Sequence, residues 1–298
     1  ASHNPKEDNG KKVYSSDGGQ LIPPHDELLA DTVNAVKTIN DKENKSLLEK
    51  IGEDINKAYI SETTKLSNYP DQRDINILFT PLHGVGASNV AKTLKQLGFK
   101  ITIDEKTKTP DGGFPNVKFN IPNPEVPESF ETCYVDNNAD IILATDPDAD
   151  RMGVSVKHKN KWHYLNGNQI GIIALASLLF ANKEKKKLTK DSTVVKTLVT
   201  TSLLNKICEH YKVNIIDDLL VGFKYIAHEI AKLEKQGKPD AFIMGLEESH
   251  GFLTGNYCRD KDGVCACVIL AELASFQKSQ NKTLIDFLDE IYDTFGYA

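Results

Sequence analysis

Short apolar runs alternate with amphipathic helical patterns twice along this chain, and this alternation restricts the fold more than any other feature. In the first unit, predicted strands at 75–79 and 100–103 flank a predicted helix at 89–97. The second unit repeats the order. Its predicted strands lie at residues 193–195, 213–216 and 241–244, and its predicted helices between them at 202–211 and 223–236. Strand-helix-strand order favours parallel strands covered by helices, so the predicted fold class is α/β.

The predicted domains follow from where these units begin and end. A predicted hairpin at 13–22 and a predicted helix at 26–39 come first, and the charged stretch at 40–70 separates them from the first unit. Several prolines make residues 104–128 irregular, and a short helix near 128–138 is expected before the next strand. We therefore expect three domains, at residues 1–72, 73–163 and 164–298.

Three aspartates, Asp146, Asp148 and Asp150, follow the apolar run 141–144 at every second position. Alternate residues of an extended loop point the same way, so these carboxylates can converge on one hard cation such as Mg2+. A solvated acidic turn is the alternative. An EF-hand is excluded because its sixth position needs glycine and its twelfth glutamate, whereas Arg151 and Lys157 stand there. A phosphatase with an aspartyl nucleophile stays open.

Two further stretches carry candidate chemistry. Ser2 and His3 stand in the sequence Ser-His-Asn-Pro, which joins a hydroxyl nucleophile to a possible base, although such neighbours are usually incidental. Glu247 and Ser249 stand in Glu-Glu-Ser-His-Gly, just after a predicted strand. Open α/β sheets bind ligands at the carboxyl ends of their strands, so the acidic loops of the two units are expected to face a cleft between domains.

Taken together and in this order, the motifs resemble the α-D-phosphohexomutase family, in its phosphoglucomutase and phosphopentomutase branch. They are Ala-Ser-His-Asn-Pro-Lys-Glu-Asp-Asn-Gly at 1–10, Asp-Pro-Asp-Ala-Asp-Arg at 146–151 and Glu-Glu-Ser-His-Gly at 247–251, with shorter matches at 80–84, 222–224 and 259–263. The resemblance spans nearly the whole chain. It implies consecutive α/β domains with mixed sheets of the phosphohexomutase type and an active-site cleft between domains. It also implies that the start of domain 1 and all of domain 4 lie outside this chain.

This resemblance implies a phosphosugar mutase. Ser2 would donate a phosphoryl group to a sugar monophosphate and recover the other phosphoryl group of the resulting bisphosphate. The 1- and 6-phosphates of glucose, or the 1- and 5-phosphates of a pentose, would thereby interconvert. The implied cofactor is Mg2+, and glucose 1,6-bisphosphate is the implied activator.

The implied site residues fall into three groups, matched position by position to the family motifs. The catalytic group is Ser2, His3, Lys12 and Arg151. The metal group is Ser2, Asp146, Asp148 and Asp150. The substrate group is Gly222, Glu247, Ser249, Arg259 and Lys261.

Three departures bear on the substrate. Val221 replaces a threonine of many relatives, and Phe223 and His250 differ from the phosphomannomutase/phosphoglucomutase pattern, which favours glucose or pentose over mannose. A phosphomannomutase is the first alternative. An aspartyl-type phosphatase using Asp146 and a non-catalytic sugar-phosphate-binding fragment are the others. Because domain 4 would be missing, we expect little mutase turnover from residues 1–298 alone.

Composition limits the partners. The 36 basic and 42 acidic side chains give a net charge of −6, so no general attraction to nucleic acid or anionic membrane is expected. The longest nearly unbroken apolar stretch, at 170–181, is too short to span a bilayer. Five cysteines without Cys-x-x-Cys spacing indicate neither a disulfide framework nor structural zinc. We expect a cytoplasmic protein that binds small sugar phosphates; its oligomeric state is not indicated.

Overall fold

The computed structural model describes residues 5–8, 11–39, 42–135 and 138–297, in which two mixed sheets form the framework. The strands of the first sheet are β1 (Asn76–Thr80), β2 (Lys100–Ile103), β3 (Ile141–Thr145), β4 (Met152–His158) and β5 (Lys161–Leu165). Their order is β2-β1-β3-β4-β5. The first three are parallel, whereas β4 and β5 are antiparallel to their neighbours. All five residues of β3 are buried, as expected for a central strand covered on both faces.

The strands of the second sheet are β6 (Thr193–Thr197), β7 (Asn214–Leu219), β8 (Phe242–Leu246) and β9 (Phe252–Thr254). Their order is β7-β6-β8-β9, with β9 antiparallel to β8 and the other neighbours parallel. In both sheets a parallel strand is thus followed by an acidic loop and an antiparallel strand. The prediction of consecutive α/β units with mixed sheets is confirmed.

Eight α-helices lie in the described ranges. They are α1 (His25–Asn34), α2 (Glu53–Thr64), α3 (Gly86–Gln96), α4 (Gly167–Glu184), α5 (Leu203–Tyr211), α6 (Phe223–Lys235), α7 (Gly263–Ser279) and α8 (Leu284–Phe295). α7 contacts strands of both sheets, and nearly all its residues are buried. One apolar core therefore runs continuously from the first sheet through α7 into the second.

A buried carboxylate in α7 fixes the linker that precedes β1. Glu272 is 1% exposed and accepts hydrogen bonds from the backbone N–H groups of Asn68 (2.6 Å) and Tyr69 (3.3 Å). The hydroxyl of Ser67 also donates to it, and the guanidinium of Arg73 lies 2.9 Å away. Because buried charges need partners, this arrangement holds residues 67–73 against α7.

The structure differs from the sequence prediction where tertiary contacts determine the length or type of a helix or the presence of a strand. The predicted helix at 26–39 ends at Asn34, and Ile39 beyond it is 85% exposed, because helical propensity without packing sustains no long helix. The predicted helix near 128–138 is a 3-10 segment, Pro127–Cys133. The helix predicted at 89–97 begins three residues earlier, at Gly86, and ends at Gln96. The β4–β5 hairpin, β9 and α8 were not predicted. The domain boundaries after residues 72 and 163 stay predictions.

Candidate active site

The acidic loop after β3 gathers three carboxylates. Oxygen atoms of Asp146, Asp148 and Asp150 all lie within 4.8 Å of one another. The loop turns back on itself because a carboxylate oxygen of Asp146 accepts the backbone N–H groups of Asp150 (3.1 Å) and Arg151 (3.0 Å). Ala149, between them, has a φ of 60°, in the left-handed region that such tight turns use. Burial and the two neighbouring aspartates raise the pKa of Asp146.

Two lysines from distant parts of the chain converge on Asp150. The ammonium of Lys12 lies 2.6 Å from its carboxylate, and that of Lys261 lies 2.7 Å from the same oxygen. Lys12 is also 3.5 Å from Asp148. Burial opposes ionisation of Asp150, but the two ammonium groups outweigh it and lower the pKa of this carboxyl. Two residues after Lys12, the hydroxyl of Tyr14 donates to the carboxylate of Asp260 at 2.6 Å. Asp260 is the sequence neighbour of Lys261.

The acidic loop after β8 meets the aspartate loop through the backbone. Arg151 and Gly251 form an isolated antiparallel bridge, and the N–H of Met152 donates to the carbonyl of His250 (3.1 Å). The side chain of Glu247 is buried and accepts the N–H of Gly222 at 2.9 Å. Burial raises the pKa of Glu247, although Lys261 and that N–H oppose the effect. The two loops predicted to face a common cleft are therefore adjacent.

Close backbone approaches hold these loops in place. A Cβ at Gly84, in the loop after β1, would stand 2.2 Å from the Cα of Pro147, and Val85 N–H donates to the Pro147 carbonyl at 2.8 Å. A Cβ at Gly167, at the start of α4, would stand 1.9 Å from the Glu248 carbonyl oxygen. Glycine is required at both positions because any side chain would displace a loop that carries site residues.

The donor set suits a hard divalent cation. One ligand oxygen from each of the three carboxylates lies within 4.8 Å of the others, so small side-chain rotations can bring all three to a Mg2+ ion with metal-oxygen distances of about 2.1 Å. Among the described residues, Oδ1 of Asp150 is buried and has no hydrogen-bond partner. Such an orphaned carboxylate oxygen is costly in a folded protein unless it binds a cation or water. The residues therefore fit Mg2+ coordination.

The remaining predicted site residues are Ser2, His3, Ser249 and Arg259. Ser2 and His3 lie outside the described residues. The carbonyl of Ser249 accepts from Arg151 at 3.3 Å. The guanidinium of Arg259 pairs with Glu234 of α6 and donates to two nearby carbonyls, so it braces its own loop, and its contact with substrate stays a prediction.

Sequence reasoning missed two carboxylates of this site. Glu125, in the irregular segment before β3, forms an ion pair with the guanidinium of Arg151. The carboxylate of Asp260 accepts a hydrogen bond from Tyr14 and lies 3.4 Å from the ammonium of Lys261. Glu125 has no sequence spacing that indicates Arg151 as its partner. Asp260 is the sequence neighbour of Lys261, so that pairing was foreseeable, whereas its hydrogen bond from Tyr14 was not.

Comparison with known proteins agrees with this geometry. Three domain models described as phosphoglucomutase/phosphomannomutase α/β/α domains I, II and III match residues 1–40, 57–160 and 166–295. The chain belongs to the phosphoglucomutase/phosphomannomutase family. Members of this family that resemble it include a phosphomannomutase of Mycoplasmoides pirum, 33% identical over 99% of this chain and 55% of the relative. A phosphoglucomutase of Staphylococcus haemolyticus is 33% identical over 99% of this chain and 54% of its own length.

Solved structures show the same fold. The open form of the Paramecium phosphoglucomutase pp63/parafusin covers all of this chain and 56% of its own, with a TM-score of 0.69 and 18% identity. An Aspergillus fumigatus N-acetylphosphoglucosamine mutase, solved with GlcNAc-6P and magnesium, covers 97% of this chain and 71% of its own, with a TM-score of 0.59 and 15% identity. The chain spans about half the length of the two curated relatives. None of the helices in the described ranges has the length and apolar character needed to cross a lipid bilayer.

Proposed function

We propose that this chain carries the phosphoserine, metal and sugar sites of a phosphosugar mutase, which interconverts the 1- and 6-phosphates of glucose or the 1- and 5-phosphates of a pentose. The observation that supports it best is the backbone bridge between Arg151 and Gly251. Through this bridge the loop that carries the three aspartates lies beside the loop that carries the buried Glu247 carboxylate, and this adjacency supports a shared site for a cation and a sugar phosphate. Phosphoryl transfer needs this combination of charge stabilisation and positioning more than it needs covalent chemistry by the protein.

The proposed reaction assigns each group a task. The sugar hydroxyl oxygen forms a bond to phosphorus while the bond from phosphorus to the Ser2 oxygen breaks. The hydroxyl proton passes to His3, and the ammonium of Lys12, paired with Asp150, is the candidate proton donor to the departing Ser2 oxygen. Mg2+, held by the three aspartates and a phosphoserine oxygen, would neutralise charge on the transferring group. Arg151 adds a fixed positive charge beside it.

The proposed sugar contacts come from the second unit. Glu247 accepts from a ring hydroxyl, Ser249 donates to or accepts from its neighbour, and the Gly222 N–H that Glu247 already holds keeps the carboxylate in one orientation. Lys261, within reach of Asp150 and Asp260, is the proposed phosphate cation of this side.

The experiment is phosphopeptide mass spectrometry after incubation with Mg2+ and glucose 1,6-bisphosphate, the proposed activator. We expect phosphate on Ser2, its loss when glucose 6-phosphate is added, and no labelling of Ser2→Ala. This half-reaction is the appropriate readout for a chain half the length of its relatives. Phosphate that appears on Asp146 and is released by hydroxylamine would indicate the aspartyl-type phosphatase instead. Absence of any phosphate would favour a sugar-phosphate-binding role.

A phosphomannomutase is the second candidate, and the Mycoplasmoides pirum relative of that name supports it. Discharge of the phosphorylated protein by mannose, glucose and ribose monophosphates, each at equal concentration, ranks the substrates. Fastest discharge by mannose 6-phosphate would favour this candidate over the glucose or pentose assignment.

A further inference from the structure

Glu125 has an unusually firm position for a residue in an irregular segment. Its backbone N–H donates to the side chain of Asn123 at 2.9 Å, and the hydroxyl of Ser129 donates to the Asn123 carbonyl. The preceding residue, Pro124, lies so close to β4 that a Cβ at Gly153 would stand 2.3 Å from its carbonyl oxygen. The turn that carries Glu125 is therefore pinned to the sheet and cannot shift without disturbing β4.

The Glu125 carboxylate and the Arg151 guanidinium form an ion pair in which both side chains are mostly buried, at 23% and 17% exposure. The same nitrogen of Arg151, Nη1, also donates to the carbonyl of Ser249 at 3.3 Å. One edge of the guanidinium is thus fixed by two partners from two different units of the chain. Bidentate or doubly held arginines lose less freedom per contact than lysines do, because the planar fork is preorganised.

The opposite edge of Arg151 points to the acidic loop. Among the residues the structure describes, Nε of Arg151 is buried and has no hydrogen-bond partner, and neither has Oδ1 of Asp150, 3.8 Å away. Because 3.8 Å is too long for a hydrogen bond, the Nε–H of Arg151 is available to donate to another acceptor, and Oδ1 of Asp150 is available to bind a cation.

We propose that Glu125 is a positioning residue of the phosphoryl-transfer site: it holds Arg151 back from Asp150 so that the free edge of the guanidinium faces the transferring phosphoryl group. This inference rests on the proposed mutase function. Glu125 acts through Arg151, because its carboxylate pairs with that guanidinium. Without its carboxylate, the nearest remaining anion for the guanidinium is Asp150, and a direct pair there would remove one cation-binding oxygen and one phosphate donor together.

A purely structural role for the ion pair is the competing explanation, and non-additivity distinguishes the two. The test uses Glu125→Gln, which keeps the shape and removes the charge, alone and in an Arg151→Gln background. Glu131→Gln is the matched control, because Glu131 lies in the same segment and pairs with Lys118 at the surface. The measured quantity is the rate of Ser2 phosphorylation by glucose 1,6-bisphosphate as a function of its concentration.

We expect Glu125→Gln to lower the maximal rate by about 10- to 100-fold, since small misplacements of a charged group at a reacting centre cost this much. The half-saturating concentration of glucose 1,6-bisphosphate should change by less than about threefold, because the substitution affects the transition state and not the binding of the bisphosphate. Glu125→Asp should recover part of the rate, and Glu131→Gln should match the unmodified chain. In the Arg151→Gln background, Glu125→Gln should have no further effect.

Three results would overturn the inference. A Glu125→Gln rate within twofold of the unmodified chain would show that Arg151 needs no such support. Losses that multiply in the double variant would show that Glu125 acts independently of Arg151, as a structural staple would. If the unmodified chain takes no phosphate from the bisphosphate, the mutase function fails and this inference fails with it. Normal Ser2 phosphorylation in the unmodified chain together with either of the first two results overturns this inference alone.

Discussion

Replacing Glu272 with alanine should destabilise the protein more than any surface substitution, because this carboxylate holds the linker between the N-terminal segment and the first sheet. It is almost fully buried in α7 and accepts from two backbone N–H groups, one hydroxyl and one guanidinium. Truncation leaves the N–H groups of Asn68 and Tyr69 without this acceptor. Arg73 loses its anion but keeps carbonyl partners such as those of Tyr69 and Gln72.

The magnitude follows from these contacts. Breaking a buried ion pair by removing one partner costs about 3–5 kcal/mol, and Arg73 belongs at the lower end because its carbonyl contacts remain. Each buried N–H left without an acceptor costs about 1–3 kcal/mol, but local relaxation lets water reach part of the linker. With the lower end of each range, about 3 kcal/mol for the ion pair and about 1 kcal/mol for each N–H group, we expect a total loss of about 5 kcal/mol in the free energy of unfolding.

Urea titration followed by circular dichroism measures this loss, which should lower the transition midpoint by roughly 1–2 M. Glu272→Gln should lie between alanine and the unmodified chain, because one amide oxygen can still accept. The control is Glu290→Ala, which removes a solvent-exposed partner of Lys282 and should change stability by less than about 1 kcal/mol. A Glu272→Ala loss equal to that of the control would refute the claim that Glu272 fixes the linker.

Three further predictions concern the site and its surroundings. Gly84→Ala should lower Mn2+ affinity by about 10-fold or more, because its methyl group would collide with Pro147 in the aspartate loop. Electron paramagnetic resonance measures this affinity. The control is Gly112→Ala, whose methyl group meets nothing within 4 Å and should leave the affinity unchanged. Asp148→Asn should weaken the same Mn2+ binding while leaving urea stability within about 0.5 kcal/mol, since this exposed side chain contributes to the cation site and little to the core; unaltered Mn2+ binding would contradict the assignment of the triad. Burial lowers the pKa of His250, so between about pH 6.5 and that lowered value the unfolded chain binds more protons and stability falls as pH falls. The stability advantage of the unmodified chain over His250→Gln should therefore shrink from pH 7 to pH 5, and an advantage that grows would show that His250 is charged in the folded protein.

Five parallel strands, β1, β2, β3, β6 and β8, could be predicted from sequence to within about two residues because their signal is local: short apolar runs bounded by glycine, proline or charge. The antiparallel strands β4, β5 and β9 were missed. The acidic loop was visible for the same reason, since the three aspartates lie within five residues of one another. Their convergence was a sound expectation once a buried strand was placed before them.

Contacts between distant segments could not be predicted. Glu125 reaches Arg151 across 26 residues that include β3, and Lys12 reaches Asp150 across 138. Local spacing carries no information about such pairs, which depend on how the whole chain packs. The pairing of Arg259 with Glu234 of α6 was equally invisible in the sequence, and its predicted contact with substrate stays a prediction.

The backbone bonds between the aspartate loop and the second unit limit how this protein can move. Met152 donates to the His250 carbonyl, and the N–H of Gly263, at the start of α7, donates to the Ala149 carbonyl at 2.9 Å. Two main-chain hydrogen bonds still permit rotation about the line that joins them, but the apolar core that continues through α7 restricts this rotation. We therefore expect the two sheets to move together, and an opening that admits a sugar phosphate to occur where the N-terminal segment is held by side chains, as at Lys12, Tyr14 and Asp26.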